Sequence, residues 1–320
     1  MADKHAAADV TETVPADADG IARAAQILLD GGIAAVPTET VYGLAARADS
    51  ADAVAGIYRA KGRPSFNPLI VHVGSVDQAR RIAVLGERAT QLAAQFWPGP
   101  LTVVLPLRED AGIAPAVTAG LPTIALRMPA HPVMRQLLEE CGVPLAAPSA
   151  NRSGAVSPTS AAHVGATLAG RVPLVLDGGA TSAGLESTIV ALRDSGWSLL
   201  RPGPVTLSAL TELLGPPTPV VSAKVEAPGQ LASHYSPGKP VRLDAVQGKA
   251  DEFLIGFGPV AGDASLSASG DLAEAAARLY ALLHRAAASD KAAVAVAPIP
   301  DEGIGAAIND RLRRAAADPS

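Results

Sequence analysis

A single cysteine, Cys141, stands among 320 residues, which excludes an internal disulfide and any cysteine-based metal cluster. No run of about 18 uncharged apolar residues occurs, so no transmembrane helix is expected. Charge is scarce too. Asp, Glu, Lys and Arg supply 18 % of the chain and the net charge is −5, without the basic excess of a broad nucleic-acid-binding surface. A local basic pocket is compatible with that balance. His-Glu-x-x-His, Cys-x-x-Cys, Gly-x-Ser-x-Gly and the phosphate-loop pattern ending in Gly-Lys-Ser/Thr are all missing. Metalloprotease, zinc-site, α/β-hydrolase and P-loop readings therefore lack their signatures.

What is abundant is apolar: 48 % of residues are hydrophobic, mostly Ala and Val, in a chain long enough for two domains. Residues 1–18 are polar and acidic with no apolar core segment, so a disordered tail is expected rather than a signal peptide, and a cytoplasmic location follows as the default. From there to about residue 206 the pattern alternates. Helical spacing over 21–30, 52–60, 76–83, 87–96 and 132–140 is interleaved with short β-rich runs at 33–36, 69–73, 101–105, 123–127, 145–147, 174–176 and 187–192. This predicts one α/β domain. A Pro/Gly-rich stretch, framed by Gly215–Pro219 and 227–230, predicts a linker carrying His234-Tyr235-Ser236-Pro237-Gly238. Strand and helix patterns then alternate again over 241–243, 253–257, 272–288, 292–296 and 304–316, predicting a small Rossmann-like unit. It lacks the Gly-x-Gly-x-x-Gly turn, so no dinucleotide is implied.

The scarce charges are placed unevenly. Lys61 and Arg63 flank Gly62 just past a predicted helix. They read either as cations favoured by a helix C-terminus or as phosphate ligands, Arg being suited to bidentate contacts and Lys to a point charge. Ser149-Ala150-Asn151 follows a predicted strand, where α/β sheets bind ligands but where Ser and Asn also make ordinary turns and caps. Thr38–Tyr42 reads equally as a strand extension or a polar site segment, and Arg127 as a carboxylate ligand or a partner for a local Asp or Glu. His234 and Tyr235 read as solvated linker residues or as a lid.

The order of these segments is specific. Pro37–Leu44, Lys61–Pro64 with 67–73, 96–102, 123–131, Pro148–Thr159, 184–190, Arg201-Pro202-Gly203 and His234–Pro237 follow one another as spaced motifs. Together they resemble the YrdC/Sua5 family in its two-domain Sua5 form, from about residue 20 to Ala306–Arg311. The resemblance implies a twisted mixed-sheet YrdC-like α/β domain over 19–206, a linker over 207–239 and a smaller Rossmann-like C-terminal domain over 240–320. It implies a nucleotidyltransferase that forms L-threonylcarbamoyladenylate and pyrophosphate from L-threonine, bicarbonate and ATP, with Mg²⁺ accompanying ATP. The product supplies the threonylcarbamoyl group of adenosine 37 in tRNA through a separate, transiently met transferase complex, with weak or no direct tRNA binding and no membrane.

By the same resemblance, Lys61 and Arg63 are catalytic. Arg63, Asn67, Thr123, Ser149, Asn151, Ser157 and Arg201 hold ATP or the adenylate, and Tyr235 with His234 closes over the nucleotide. Thr40, His72, Arg127, Ala147 (through its backbone) and Ser187 hold threonine, with Arg127 on its carboxylate. No protein side chain is assigned to a metal. Two other readings are weighed: an RNA-binding module without catalysis, disfavoured by the net charge, and a carbamoyl-transfer domain of hydrogenase-maturation factors, whose acylphosphatase and zinc-finger modules are absent here.

Overall fold

In the computed structural model, which describes residues 10–219, 226–229 and 234–317, the chain forms two sheets. The first unit comprises β1 (Glu12–Pro15), α1 (Ala18–Leu29), β2 (Ala34–Val36), β3 (Gly43–Arg47), α2 (Ala51–Lys61), β4 (Ile70–His72), α3 (Val76–Ile82), α4 (Glu87–Phe96), β5 (Leu101–Pro106), α5 (Pro115–Thr118), β6 (Thr123–Arg127), α6 (Pro132–Cys141), β7 (Leu145–Ala146), α7 (Ala161–Leu168), β8 (Leu174–Asp177), β9 (Thr188–Arg193), β10 (Gly196–Arg201) and α8 (Leu207–Leu214). The second comprises β11 (Val241–Arg242), β12 (Glu252–Gly256), β13 (Ala264–Ser265), α9 (Leu272–Ala288), β14 (Ala293–Val296) and α10 (Gly305–Ala316).

The first sheet has ten strands in the order β1-β8-β2-β3-β7-β4-β6-β5-β9-β10, with parallel and antiparallel pairs mixed. The second has four parallel strands in the order β11-β14-β12-β13. The mixed-sheet α/β expectation with a smaller Rossmann-like unit holds. Among the described residues no helix is long and apolar enough to cross a membrane.

Three expectations need correction. Residues 12–15 are not a disordered tail: β1 pairs in parallel with β8, and Thr11 Oγ1 donates to Val172 O at 2.7 Å. A β-branched run beside an open sheet edge is enough to order a short polar segment. Residues 207–214 are a helix rather than linker, because Leu207, Leu210, Leu213 and Leu214 share helical spacing and Thr206 caps the first turn by accepting from Ala209 N. Thr38–Tyr42 does not extend β2. The chain turns there and returns as the antiparallel β3, a strand the sequence reading had not assigned. Residues 220–225 and 230–233 of the linker lie outside the described residues.

Two features of this frame build the site. Helix α2, capped by Ser50 at its start, ends at Gly62, whose left-handed φ of 61° stops the helix and turns the chain sharply after Lys61. On the sheet, register sets a face: Ile70 lies opposite Ala125 and His72 opposite Arg127, while Thr102 pairs Ile189 and Val104 pairs Ala191. Alternate residues share a face, so Thr123, Ala125 and Arg127 line one side of β6. That side carries an apolar strip of Ile70, Val104, Ala125, Ile189, Ala191 and Leu200, over which the linker residue Ala227 is fully buried.

Candidate active site

The backbone brings the separated motifs together. Tyr42 N donates to Pro158 O, Leu44 N to Pro148 O and Ala150 N to Tyr42 O, all within 2.8 Å, and Gly43 forms a bridge with Ser149. Ser153 N donates to Lys61 O. Lys61 Nζ donates to the carbonyls of Ser149 and, at 2.6 Å, of Asn151. The Lys-Gly-Arg and Ser-Ala-Asn segments, about ninety residues apart, are thus one structure.

Lys61, Arg63 and Arg201 are all buried. Arg63 donates to Asn67 O at 3.2 Å and Pro68 O at 2.9 Å. Arg201 donates from Nε to Ser187 O and from Nη2 to Ser187 Oγ, each at 3.1 Å. Burial, then the Arg63 charge, push the Lys61 ammonium well below its ordinary value. Burial also lowers Arg63 to about 10, with Arg201 pressing in the same direction. Each cation is satisfied by neutral oxygen atoms rather than by a carboxylate of its own. Arg63 feels both Lys61 and Arg201, and the one carboxylate near them, Glu186, is already engaged by Arg311; three buried cations beside one shared carboxylate mark a place built for an anion. Two amide oxygens, Asn67 Oδ1 and Asn151 Oδ1, are buried without a hydrogen-bond partner; as acceptors they suit an N–H or O–H of a ligand rather than its anionic part.

A second group gathers around Arg127. Its Nη1 donates to Thr40 Oγ1 at 2.9 Å, its Nε to Gly99 O at 3.3 Å, and its Nη2 lies 2.6 Å from a Glu39 carboxylate oxygen. Thr38 Oγ1 bonds Thr40 Oγ1 and donates to Val41 O, fixing the turn that carries Glu39. Across the register from Arg127, His72 is buried with an unpartnered Nδ1. Burial, followed by the Arg127 charge, lowers it to about 3, so it is a neutral imidazole. Ala147 N donates to Ile70 O, which leaves its carbonyl as the group it can offer. Ser187 Oγ lies between Thr102 Oγ1 at 2.7 Å and Arg201 Nη2 at 3.1 Å. Thr123 sits on the same face as Arg127 but four positions away, about 13 Å along the strand. It marks the far end of the face.

A third group joins residues of the first unit and the linker to Tyr280 and Arg311 of the C-terminal unit, and residue types alone gave Glu186, Tyr280 and Arg311 no place in the site. Glu186 accepts from Ser157 Oγ, from Tyr280 OH at 2.8 Å and from Arg311 Nε at 2.9 Å. Burial raises this carboxyl, but Arg311, Arg201 and the hydrogen bonds outweigh it and hold it at about 2. Tyr235 is buried, its ring between Tyr280 and the Arg311 guanidinium, at a positive φ of 65°. Gly229 lies so close to Arg201 Cδ and Tyr235 OH that a side chain there would collide at 2.7 Å with the arginine. His234 donates its backbone N–H to Arg314 O, packs edge-on against Tyr235, and is lowered by burial to about 3. The linker residues are therefore packed into the site and not solvated. Gly184 is required for the same junction: a Cβ there would stand 2.5 Å from the backbone of α9.

Among the described residues no group of three or more His, Cys, Asp or Glu is arranged to hold a metal ion. The donor set is cations and neutral oxygens, which suits a divalent ion carried by phosphate groups rather than a protein cage.

Comparisons agree with the two-unit architecture. A family model described as telomere recombination (Sua5, YciO and YrdC) matches residues 26–203, and one described as the threonylcarbamoyl-AMP synthase C-terminal domain matches 205–317. The threonylcarbamoyl-AMP synthase of Bacillus subtilis is 39 % identical over 96 % of each chain. The solved structure of P. abyssi Sua5 complexed with L-threonine superimposes with a TM-score of 0.86 at 35 % identity, covering 96 % of this chain and 97 % of that one. E. coli YciO, at 21 % identity and a TM-score of 0.52, shares the fold over 61 % of this chain and 93 % of its own. The chain belongs to the Sua5/YciO/YrdC family, in the form that carries the Sua5 C-terminal domain.

Proposed function

We propose that this chain forms L-threonylcarbamoyladenylate and pyrophosphate from L-threonine, bicarbonate and ATP, supplying the threonylcarbamoyl group for position 37 of tRNA. It is a nucleotidyltransferase. The observation that carries the reading is the convergence of Lys61, Arg63 and Arg201, buried together and bonded only to neutral oxygens. The reaction joins a carbamate oxygen to the α-phosphorus and expels pyrophosphate. It needs positioning and charge neutralisation rather than a protein nucleophile.

Lys61 and Arg63 neutralise the phosphates. Asn67, Thr123, Ser149, Asn151, Ser157 and Arg201 complete the nucleotide side, Thr123 at its far end, and His234 with Tyr235 covers it. Thr40, His72, Arg127, the Ala147 carbonyl and Ser187 form the amino-acid side, with Arg127 on the carboxylate. Mg²⁺ enters with ATP and supplies further neutralisation of the phosphates. The adenylate passes to a separate transferase complex in the cytoplasm, without strong tRNA binding by this chain. The test is pyrophosphate release by the pure protein: it should require threonine and bicarbonate together. Release that ignores threonine would overturn the reading.

A further inference from the structure

Arg127 Nε and Nη1 donate to Gly99 O and Thr40 Oγ1, and Nη2 lies 2.6 Å from a Glu39 carboxylate oxygen in an ion pair without hydrogen-bond geometry. A substrate carboxylate that pairs with Arg127 therefore meets Glu39, the one neighbour of matching chemistry, on that nitrogen. The Glu39 and Arg127 side chains are 12 % and 4 % exposed, so a displaced Glu39 stays inside the site rather than turning to water.

We propose that Glu39 exchanges with the substrate carboxylate on Arg127 and then acts as the general base that takes a proton from the threonine ammonium. The inference rests on the function proposed above. The groups facing Glu39 are Arg127 on β6, His72 on β4 and His131 just before α6. Both imidazoles are lowered from their ordinary values, first by burial, His72 to about 3. Glu39 paired with Arg127 is itself a poor base: burial raises its carboxyl, but the Arg127 charge brings it below its ordinary value. Once the substrate carboxylate occupies Arg127, the lowering influence is shared and the burial remains, so the base is switched on by the ligand it serves.

The step balances. Glu39 takes one proton from –NH₃⁺ and leaves an amine lone pair. The amine nitrogen bonds to the carbon of bicarbonate, whose hydroxyl departs with the second nitrogen-bound proton as water. The product is the carbamate. The proton held on Glu39 returns to solvent when product leaves.

The test compares wild type, Glu39→Gln and Glu39→Asp in threonine-dependent pyrophosphate release from pH 6.5 to 9, with folding checked by thermal melting. Glu39→Gln should lose about 100-fold at pH 7 and regain about tenfold per pH unit, as solvent supplies the free amine. Glu39→Asp should recover part of the rate with the wild-type profile. A protonated-carboxyl infrared band should also appear when threonine is added without ATP, and be missing in Glu39→Gln. Parallel pH profiles for wild type and Glu39→Gln, or no such band, overturn the assignment of Glu39. A wild type that releases no pyrophosphate with threonine overturns the function instead.

Discussion

Arg311, near the end of the chain, donates to Glu186 of the first unit at 2.9 Å, and neither side chain is more than 7 % exposed. Through this pair the C-terminal unit reaches the site. Glu186 also accepts from Ser157, it directly precedes Ser187, and the same guanidinium lies 5.4 Å from the centre of the Tyr235 ring. The small domain holds one wall of the site and the back of its cover.

Arg311→Met leaves a buried carboxylate unpaired. Stability should fall by about 3–5 kcal/mol, and pyrophosphate release should fall with it as Ser157 and Tyr235 lose their support. Denaturant unfolding checks the first and a turnover assay the second. The double variant Arg311→Met/Glu186→Gln should recover part of the stability, because the orphaned charge is gone.

Lys61→Met and Arg63→Met each remove a cation from the phosphate side. Turnover should drop on the order of 10²–10³-fold for each, with melting temperature kept or raised, since an expensive buried charge has been removed. Steady-state kinetics beside a thermal melt separates these effects. Unchanged turnover in either variant would remove the phosphate assignment.

Arg127→Ala should raise the KM for threonine on the order of 10–100-fold, the loss of a charge-assisted hydrogen bond worth about 1.5–3 kcal/mol. The KM for ATP should move little. Varying threonine and ATP separately tests this.

Acid should destabilise the fold in two stages. His72 and His234 are held near 3 in the folded state, below the ordinary 6.5, so the unfolded chain binds the extra protons. Their contribution is complete above pH 6.5 and declines as pH falls toward 3, by up to about 1.4 kcal/mol per pH unit for each. Glu186, at about 2 against an ordinary 4.5, adds stability above pH 4.5 that is lost as pH falls toward 2. Unfolding free energies measured from pH 7.5 to 4 should decline below 6.5, and His72→Gln should flatten that slope.

The parts of the site legible in the sequence were those with local signals. The Lys61-Gly62-Arg63 turn follows from a helix that must stop at glycine, and Ser149-Ala150-Asn151 from a strand that ends at Pro148. Glu39 was overlooked because Thr-Glu-Thr has the composition of a strand, and only the return of β3 shows that it turns inward. Arg311 and Tyr280 lie 125 and 94 residues from Glu186, and no periodicity links positions so far apart. Their role depends on α9 and α10 docking against the first unit, a tertiary event that composition does not encode. β10 received no assignment from the sequence pattern, yet Trp197 is buried and the strand pairs with β9 at the sheet edge.

The most direct test is to incubate the pure protein with ATP, Mg²⁺, bicarbonate and threonine and to measure the mass of the nucleotide product. The account predicts a threonylcarbamoyl-adenylate that carries isotope from labelled bicarbonate and appears with one pyrophosphate per adenylate. ATP left intact, or cleaved without a threonine-bearing adenylate, would contradict it.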